Sequence, residues 1–100
     1  MFVVTEMPGP SWDNSRSRRD QPGWDAHATF MDGLVAAGFV ALGGPVGDGE
    51  RILLAVEAAD EQDVRARLAD DPWVAAGVLE VTLVKSWSIW LDARRSSETH

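Results

Sequence analysis

The stretch that decides the fold is residues 22–45, which read PGWDAHATFMDGLVAAGFVALGGP. In its first half, apolar residues recur every three or four positions, which is the spacing of one face of an α-helix. This pattern predicts a helix over about residues 21–37, with Asp20 as the N-cap and Gly38 as the residue that ends it. A single imidazole, that of His27, lies in the middle of the apolar face and is the first candidate for chemistry.

The second half of this stretch predicts a strand over residues 39–42, followed by Gly43, Gly44 and Pro45. Glycine and proline interrupt regular structure, so these three residues are expected to form a turn that ends the strand. Two glycines also let a ligand approach the backbone, and on this interpretation the turn is one wall of a substrate pocket. The plainer interpretation is a turn with no binding role.

On either side of this stretch, β-branched runs and capped helical patterns complete the set of elements. They predict strands over 2–6, 51–57 and 78–89, a second helix over 61–69 capped by Asp60, and one more helical turn over 72–76. The resulting order, β-α-β-β-α-β, is that of a ferredoxin-like α+β fold with a four-stranded antiparallel sheet.

The length of 100 residues is that of one domain. We expect this domain to occupy residues 1–92, with a loop or lid over 8–20 that carries the loop-forming residues Pro8, Gly9, Pro10, Asp13 and Asn14. The polar residues 93–100 are expected to fray.

The third predicted strand is apolar on both faces, because Ile52, Leu54 and Val56 alternate with Leu53 and Ala55. Two helices cover only one face of a four-stranded sheet, so the other face would be an exposed apolar patch of the kind that monomers avoid. This predicts a homodimer that packs sheet against sheet. The alternative is a sheet face that serves only as a ligand cleft.

The composition argues against several classes of protein. Nine basic and sixteen acidic residues give a net charge of −7, which disfavours nucleic acid and anionic membranes as partners. Cysteine is missing, and no apolar run is long enough to cross a bilayer. The first residues, MFVVTEM, lack the basic start of a secretory signal, so a cytoplasmic location is expected.

Three arginines, Arg16, Arg18 and Arg19, cluster in the predicted loop. Such a cluster is commonly a solvated surface, since anion binding needs an ordered frame. The functional alternative is that one of these arginines swings over the pocket and pairs with an anionic substrate.

His27 has two interpretations. A packed core histidine needs one hydrogen bond to the backbone, whereas a general acid/base needs a partner that fixes its tautomer. Asp71 is the candidate partner, although an aspartate before Pro72 is also a good N-cap. The two roles of Asp71 coexist only if its carboxylate reaches both the helix end and the imidazole.

Trp24, Trp73 and Trp87 are candidates for the lining of an aromatic substrate pocket, with core or interface packing as the alternative. A metal site is not expected, because the second histidine, His100, belongs to the tail. No cofactor is expected either, since the chain has no G-x-G-x-x-G or phosphate loop. Besides a second copy of the chain, the expected partner is therefore a small-molecule ligand.

Three segments resemble the YciI-like, or YCII-related, proteins: WDAHATFMDGLVAAG with its histidine, LGGP, and DPWVAAGVLEVTLVKSW. The resemblance covers about residues 24–87. It implies a dimeric ferredoxin-like α+β barrel with a His–Asp pair in a pocket, which falls here on His27 and Asp71. It also implies relatives among small enzymes of aromatic breakdown, such as the muconolactone isomerase-like proteins. The Arg-rich loop over 7–20 is longer than the family pattern.

Three functions fit these observations. The first is a cofactor-independent enzyme of the isomerase or lyase type. In this enzyme His27 would move a proton on a small organic molecule, for example one from aromatic breakdown, and Asp71 would orient the imidazole of His27. The second is a non-catalytic small-molecule binding or accessory module with the same pocket. The third is a purely structural dimerisation domain, in which His27→Leu would stabilise the protein.

Overall fold

A computed structural model describes residues 1–93 of the chain. The predicted frayed tail, 93–100, therefore lies outside the described residues except for its first position. The elements are β1 (Phe2–Pro8), α1 (Trp24–Ala36), β2 (Val40–Val46), β3 (Arg51–Val56), α2 (Glu61–Ala69), α3 (Pro72–Ala75) and β4 (Leu79–Ser86). A short 3₁₀ helix, Arg18–Asp20, precedes α1.

The strands form one antiparallel sheet in the order β2-β3-β1-β4. Val4 in the central strand β1 pairs with Leu54 of β3 on one side and with Val84 of β4 on the other. The predicted ferredoxin-like α+β fold, β-α-β-β-α-β with a four-stranded antiparallel sheet, is thus confirmed.

The hydrophobic core lies between the helices and one face of the sheet. Its buried residues are Val4, Leu34, Phe39, Val40, Leu54, Val56, Val64, Leu68 and Val84. A second buried cluster, formed by Trp73, Val78 and Leu79, lies where α3 meets β4. This second cluster supports the functional candidates at the start of α3.

The predicted start of α1 is wrong. Asp20 lies in the 3₁₀ helix, where its carboxylate accepts a hydrogen bond from the Ser17 hydroxyl at 2.9 Å. The helix begins after Gly23, which adopts a left-handed conformation with φ of 82°. A local rule for the N-cap selected Asp20, but the chain turns again at Pro22 and Gly23 before the helix starts.

The predicted turn at Gly43, Gly44 and Pro45 is also wrong. These residues continue β2 and pair with Leu54, Leu53 and Ile52 of β3. Proline is tolerated in β2 because β2 is an edge strand, and the N–H that proline lacks would have pointed away from the sheet, where there is no partner strand. The strand therefore continues for as long as it can pair with β3. The connection between β2 and β3 is the hairpin turn over residues 47–50, which the glycines of residues 46–50 predict and in which Gly47 and Gly49 have positive φ.

A bulge in β2 separates two residues that simple alternation would put on one face. Val40 pairs with Val56, whereas Leu42 pairs with Ala55. Val40 is 4% exposed on the helical face, and Leu42 is 54% exposed on the opposite face. The extra residue, Ala41, reverses the facing of the rest of the strand.

The face of the sheet opposite the helices carries exposed apolar side chains. Leu42 and Leu53 are both more than a third exposed there. The two-sided apolar character predicted for the sheet is therefore present.

Over residues 1–93, none of the helices is both long and apolar enough to cross a membrane.

Candidate functional site

Two side chains 44 positions apart, His27 and Asp71, meet at the junction of α1 and α3. His27 lies in the second turn of α1, and Asp71 is the N-cap of α3. The Nδ1 atom of His27 is 2.9 Å from Oδ1 and 2.8 Å from Oδ2 of Asp71. The structure thus brings the two predicted catalytic residues together.

The Asp71 carboxylate is fully buried and serves two groups at once. Its Oδ1 accepts the backbone N–H of Trp73 at 2.9 Å, which is the capping bond of α3. An ionised carboxylate only accepts hydrogen bonds, so Nδ1 of His27 must donate. In the neutral imidazole this places the proton on Nδ1 and leaves Nε2 as the acceptor.

The ring of His27 is held flat against the indole of Trp73. The two ring centroids are 4.1 Å apart, with 7° between the planes. Trp73 is itself anchored, because its Nε1–H donates to the Pro22 carbonyl at 2.9 Å. Trp24 adds a tilted contact with Trp73 at 5.6 Å. Two of the predicted pocket tryptophans therefore surround His27.

The free nitrogen of His27 is Nε2, which makes no hydrogen bond within residues 1–93. The His27 side chain keeps 11% of its surface exposed. Two clefts formed by residues within 1–93 lie elsewhere, one against α2 and β4 and the other beside Trp87. The arrangement can accept or donate a proton at one atom, in a largely enclosed setting.

The loop predicted over 8–20 is a fixed structure that packs on the Trp73 cluster. Gly9 and Ser11 donate backbone hydrogen bonds of 2.9 Å to the carbonyls of Val78 and Gly77. A side chain on Gly9 would collide with the Gly77 carbonyl, so only glycine permits this close approach.

Gln21 holds the far end of this loop in place. It is 2% exposed, and its side-chain oxygen accepts the backbone N–H of Asp13. Its side-chain NH₂ donates to the carbonyls of Asp13 and Arg16. Trp12, between these two anchor points, packs edge-on against Trp73 at 6.1 Å. Sequence reasoning missed Gln21, because a buried glutamine in a polar loop has no distinguishing pattern.

The three loop arginines have separate contacts. Arg16 pairs with Asp13 on the surface, and Arg19 lies over the Trp24 ring at 5.6 Å. Arg18 lies over Trp12 at 5.2 Å and donates to the Gly49 carbonyl at 3.2 Å. Burial lowers the pKa of the Arg18 guanidinium, and this shift is opposed by the Glu6 carboxyl.

Glu6 is an ionisable group near the site that sequence reasoning missed. It is 1% exposed. Burial, with the negative charge of Asp71 as the second cause, raises the pKa of Glu6 to about 7. His27 and Arg18 act in the opposite direction. The available signal was its spacing: Glu6 follows the inward-facing Val4 by two positions in a strand.

Four predicted pocket residues are not brought to His27. Gly43, Gly44 and Pro45 lie on the edge strand β2, where a side chain at Gly43 would meet Leu54. Trp87 lines a cleft with Leu42 and Ala55, on the face of the sheet opposite the helices. Alternation and turn signals could not place these residues relative to α1.

Residues 1–93 contain no group of three or more potential metal ligands of the His, Cys, Asp and Glu types.

Comparison with known families matches residues 1–88 to the YCII-related domain. The chain belongs to the YCII-related family. The predicted resemblance to YCII-related proteins is therefore confirmed, and it extends over β1 as well as the segments that suggested it. Comparison with curated proteins gives no match.

A solved structure with a similar fold is the 5-chloro-2-hydroxyhydroquinone dehydrochlorinase TftG from Burkholderia phenoliruptrix AC1100, in complex with 2,5-dihydroxybenzoquinone. The TM-score is 0.64 at 24% sequence identity, over 88% of this chain and 94% of the other. At this identity the likeness establishes the shared fold.

Proposed function

We propose that this YCII-related protein is a cofactor-independent enzyme of the isomerase or lyase type, acting on a small hydroxylated cyclic molecule. The observation that carries the proposal is the His27–Asp71 pair. Its buried carboxylate holds Nδ1 and leaves Nε2 free. This is the arrangement that general acid/base catalysis needs, and such assistance supplies typically about 10²–10⁴-fold in rate.

In the proposed reaction, Nε2 of His27 takes a proton from the substrate, and Asp71 stabilises the imidazolium that forms. In an elimination, the electron pair left by that proton forms a new double bond. The leaving group departs as an anion with the pair of its own bond to carbon. In an isomerisation, the imidazolium returns the proton at another atom. Either way His27 ends each cycle neutral, the proton going to water in the first case.

Two features support an aromatic or quinonoid substrate. Trp73, Trp24 and Trp12 form an aromatic cluster beside the imidazole. The similar dehydrochlorinase acts on a chlorinated hydroxyhydroquinone. The His27 side chain keeps 11% of its surface exposed, so the imidazole is within reach of a ligand only at a small opening.

The test is chloride release from 5-chloro-2-hydroxyhydroquinone by the wild type and by His27→Gln. We expect release by the wild type above the spontaneous rate, and a loss of at least about 10²-fold in the variant. Circular dichroism checks that the variant is folded. Equal rates with both proteins would contradict the proposal that His27 moves the proton.

The second candidate is a non-catalytic binding module, which is favoured by the enclosure of His27. The discriminating probe is 2,5-dihydroxybenzoquinone, with binding followed by quenching of tryptophan fluorescence. Saturable binding together with no turnover of the chlorinated compound would support this candidate.

We further propose that the protein forms a homodimer through the apolar sheet face that the helices leave uncovered. Leu53 is 37% exposed on that face, and burying such a surface favours association. Light scattering after gel filtration tests it: Leu53→Glu should give a monomer. The matched control is Val35→Glu, because Val35 is 55% exposed on α1 and away from the sheet.

A further inference from the structure

Glu6 is a carboxylic acid at a position that otherwise belongs to the core. In β1 it follows Val4 by two residues, so both side chains point toward the helices. Its backbone pairs with Ile52 on one side and Val81 on the other, and both of these are apolar residues packed against the core. Glu6 is 1% exposed and therefore almost as buried as Val4, which is 0% exposed.

This carboxyl group has an oxygen that makes no hydrogen bond within residues 1–93. That oxygen, Oε2, is fully enclosed. Buried polar atoms are nearly always bonded, and an exception calls for an explanation. A packing role alone does not provide one, because an apolar side chain of the same size would fill the position without stranding an oxygen.

The charged groups that act on Glu6 come from three elements. Asp71 belongs to the start of α3 and His27 to α1, while Arg18 comes from the loop. Arg18 is fixed at this end of the sheet by its bond to the Gly49 carbonyl. Because Glu6 is buried on the helical side of the sheet and interacts electrostatically with both His27 and Asp71, we place it beside the candidate site.

We infer that Glu6 is a third ionisable residue of this site, a positioning residue that sets the charge facing the His27–Asp71 pair. The catalytic consequence rests on the proposed function, but the electrostatic coupling does not. Coupling between two titrating groups is mutual, so whatever His27 does to Glu6, Glu6 does to His27.

The direction of the effect follows from the charges. With Glu6 protonated, Asp71 supplies the only negative charge of the three residues, and His27 can return its proton readily. With Glu6 ionised, a second carboxylate favours the imidazolium and withdraws Nε2 as a base. Because burial and Asp71 raise the pKa of Glu6 to about 7, this change falls within the physiological range.

The experiment is an NMR titration of the protein without any ligand. The carboxyl carbon of Glu6 and the Cε1–H of His27 are followed from pH 4 to pH 9, in the wild type and in Glu6→Gln. We expect an inflection of the Glu6 carbon near pH 7. We also expect the His27 signal of the wild type to show an inflection at that same pH, which disappears in the variant.

Titration of Glu6 near its ordinary value of 4.5 would overturn the inference. So would a His27 signal without any inflection at the pH where Glu6 ionises. Both readings come from the wild type, so they hold even if Glu6→Gln fails to fold. A failure of the proposed function would look different: the coupling would be present, while His27→Gln would leave the rate of chloride release unchanged.

Discussion

The imidazole of His27 lies parallel to the indole of Trp73, with 4.1 Å between the ring centroids. The same tryptophan donates its backbone N–H to Asp71, the residue that bonds the imidazole. Its indole nitrogen donates to Pro22, just before α1. Trp73 thus fixes the plane of His27, the carboxylate that orients it and the entry of the chain into α1.

Trp73→Phe should destabilise the protein by about 2 kcal/mol, because it removes the hydrogen bond to Pro22 and part of a buried side chain. Urea unfolding followed by circular dichroism measures this. The matched control is Trp87→Phe, which should cost about 0.5 kcal/mol because Trp87 is 42% exposed. Equal losses in the two variants would show that Trp73 has no special anchoring role.

Asp71→Asn should separate capping from charge. The Asn side-chain oxygen can still cap α3 and accept from His27, so we expect a loss of about 1 kcal/mol in stability. Asp71→Ala loses the cap and leaves Nδ1–H buried without a partner, so about 3 kcal/mol is expected. The rate of chloride release from 5-chloro-2-hydroxyhydroquinone should fall by about 10²-fold or more in both variants. Full turnover in Asp71→Asn would refute an electrostatic role for this carboxylate.

Gly43→Ala and Gly44→Ala form a pair that tests the packing of β2. A Cβ at Gly43 would lie 2.5 Å from Cδ2 of the buried Leu54, whereas a Cβ at Gly44 meets nothing within 4 Å. We expect a loss of about 1–3 kcal/mol for the first, from overpacking, and a change of less than about 1 kcal/mol for the second. Thermal unfolding compares them, and similar midpoints would contradict the described register.

Glu6 should make the stability depend on pH. Its pKa is raised from 4.5 in the unfolded chain to about 7 in the folded protein. Between these values the folded state keeps the proton that the unfolded state has lost, so stability decreases as pH rises. The contribution of Glu6 to the free energy of unfolding is complete below pH 4.5 and is lost above about pH 7. It amounts to about 3 kcal/mol.

This pH dependence is measured by urea unfolding at pH 4.5, 6 and 8, in the wild type and in Glu6→Gln. Other titrating groups are shared by both proteins and largely cancel in the difference. The wild type should lose stability relative to the variant as the pH rises. Parallel curves for the two proteins would show that Glu6 does not carry a raised pKa.

The elements that local signals define were predicted well. Helix α2 occupies Glu61–Ala69 as expected, and Asp60 caps it by accepting the N–H of Asp63 at 2.8 Å. The single turn of α3 ends at Gly77, whose φ of 77° only glycine adopts easily. Caps and left-handed glycines act over a few residues, so a single sequence contains the whole signal.

What depends on distant parts of the chain was predicted poorly. The extension of β2 through Pro45 is decided by its pairing with β3. The position of Trp87 on the far face depends on which side of the sheet the helices cover. The His27–Asp71 contact was predicted, and the resemblance to the YCII-related proteins placed a His–Asp pair on these two residues. Glu6 was overlooked, because an acid in a strand is normally exposed and its spacing from Val4 alone did not outweigh that expectation.

We infer that Asp71 keeps the proton on Nδ1 of His27 and leaves Nε2 as the atom that does chemistry. The most direct measurement is the tautomer of the neutral ring, read from the two ¹⁵N shifts of His27 in the ligand-free protein. We expect a protonated Nδ1 and a bare Nε2. A neutral ring that carries its proton on Nε2 would contradict this inference, since the unprotonated nitrogen would then be Nδ1, which faces Asp71 and not a substrate.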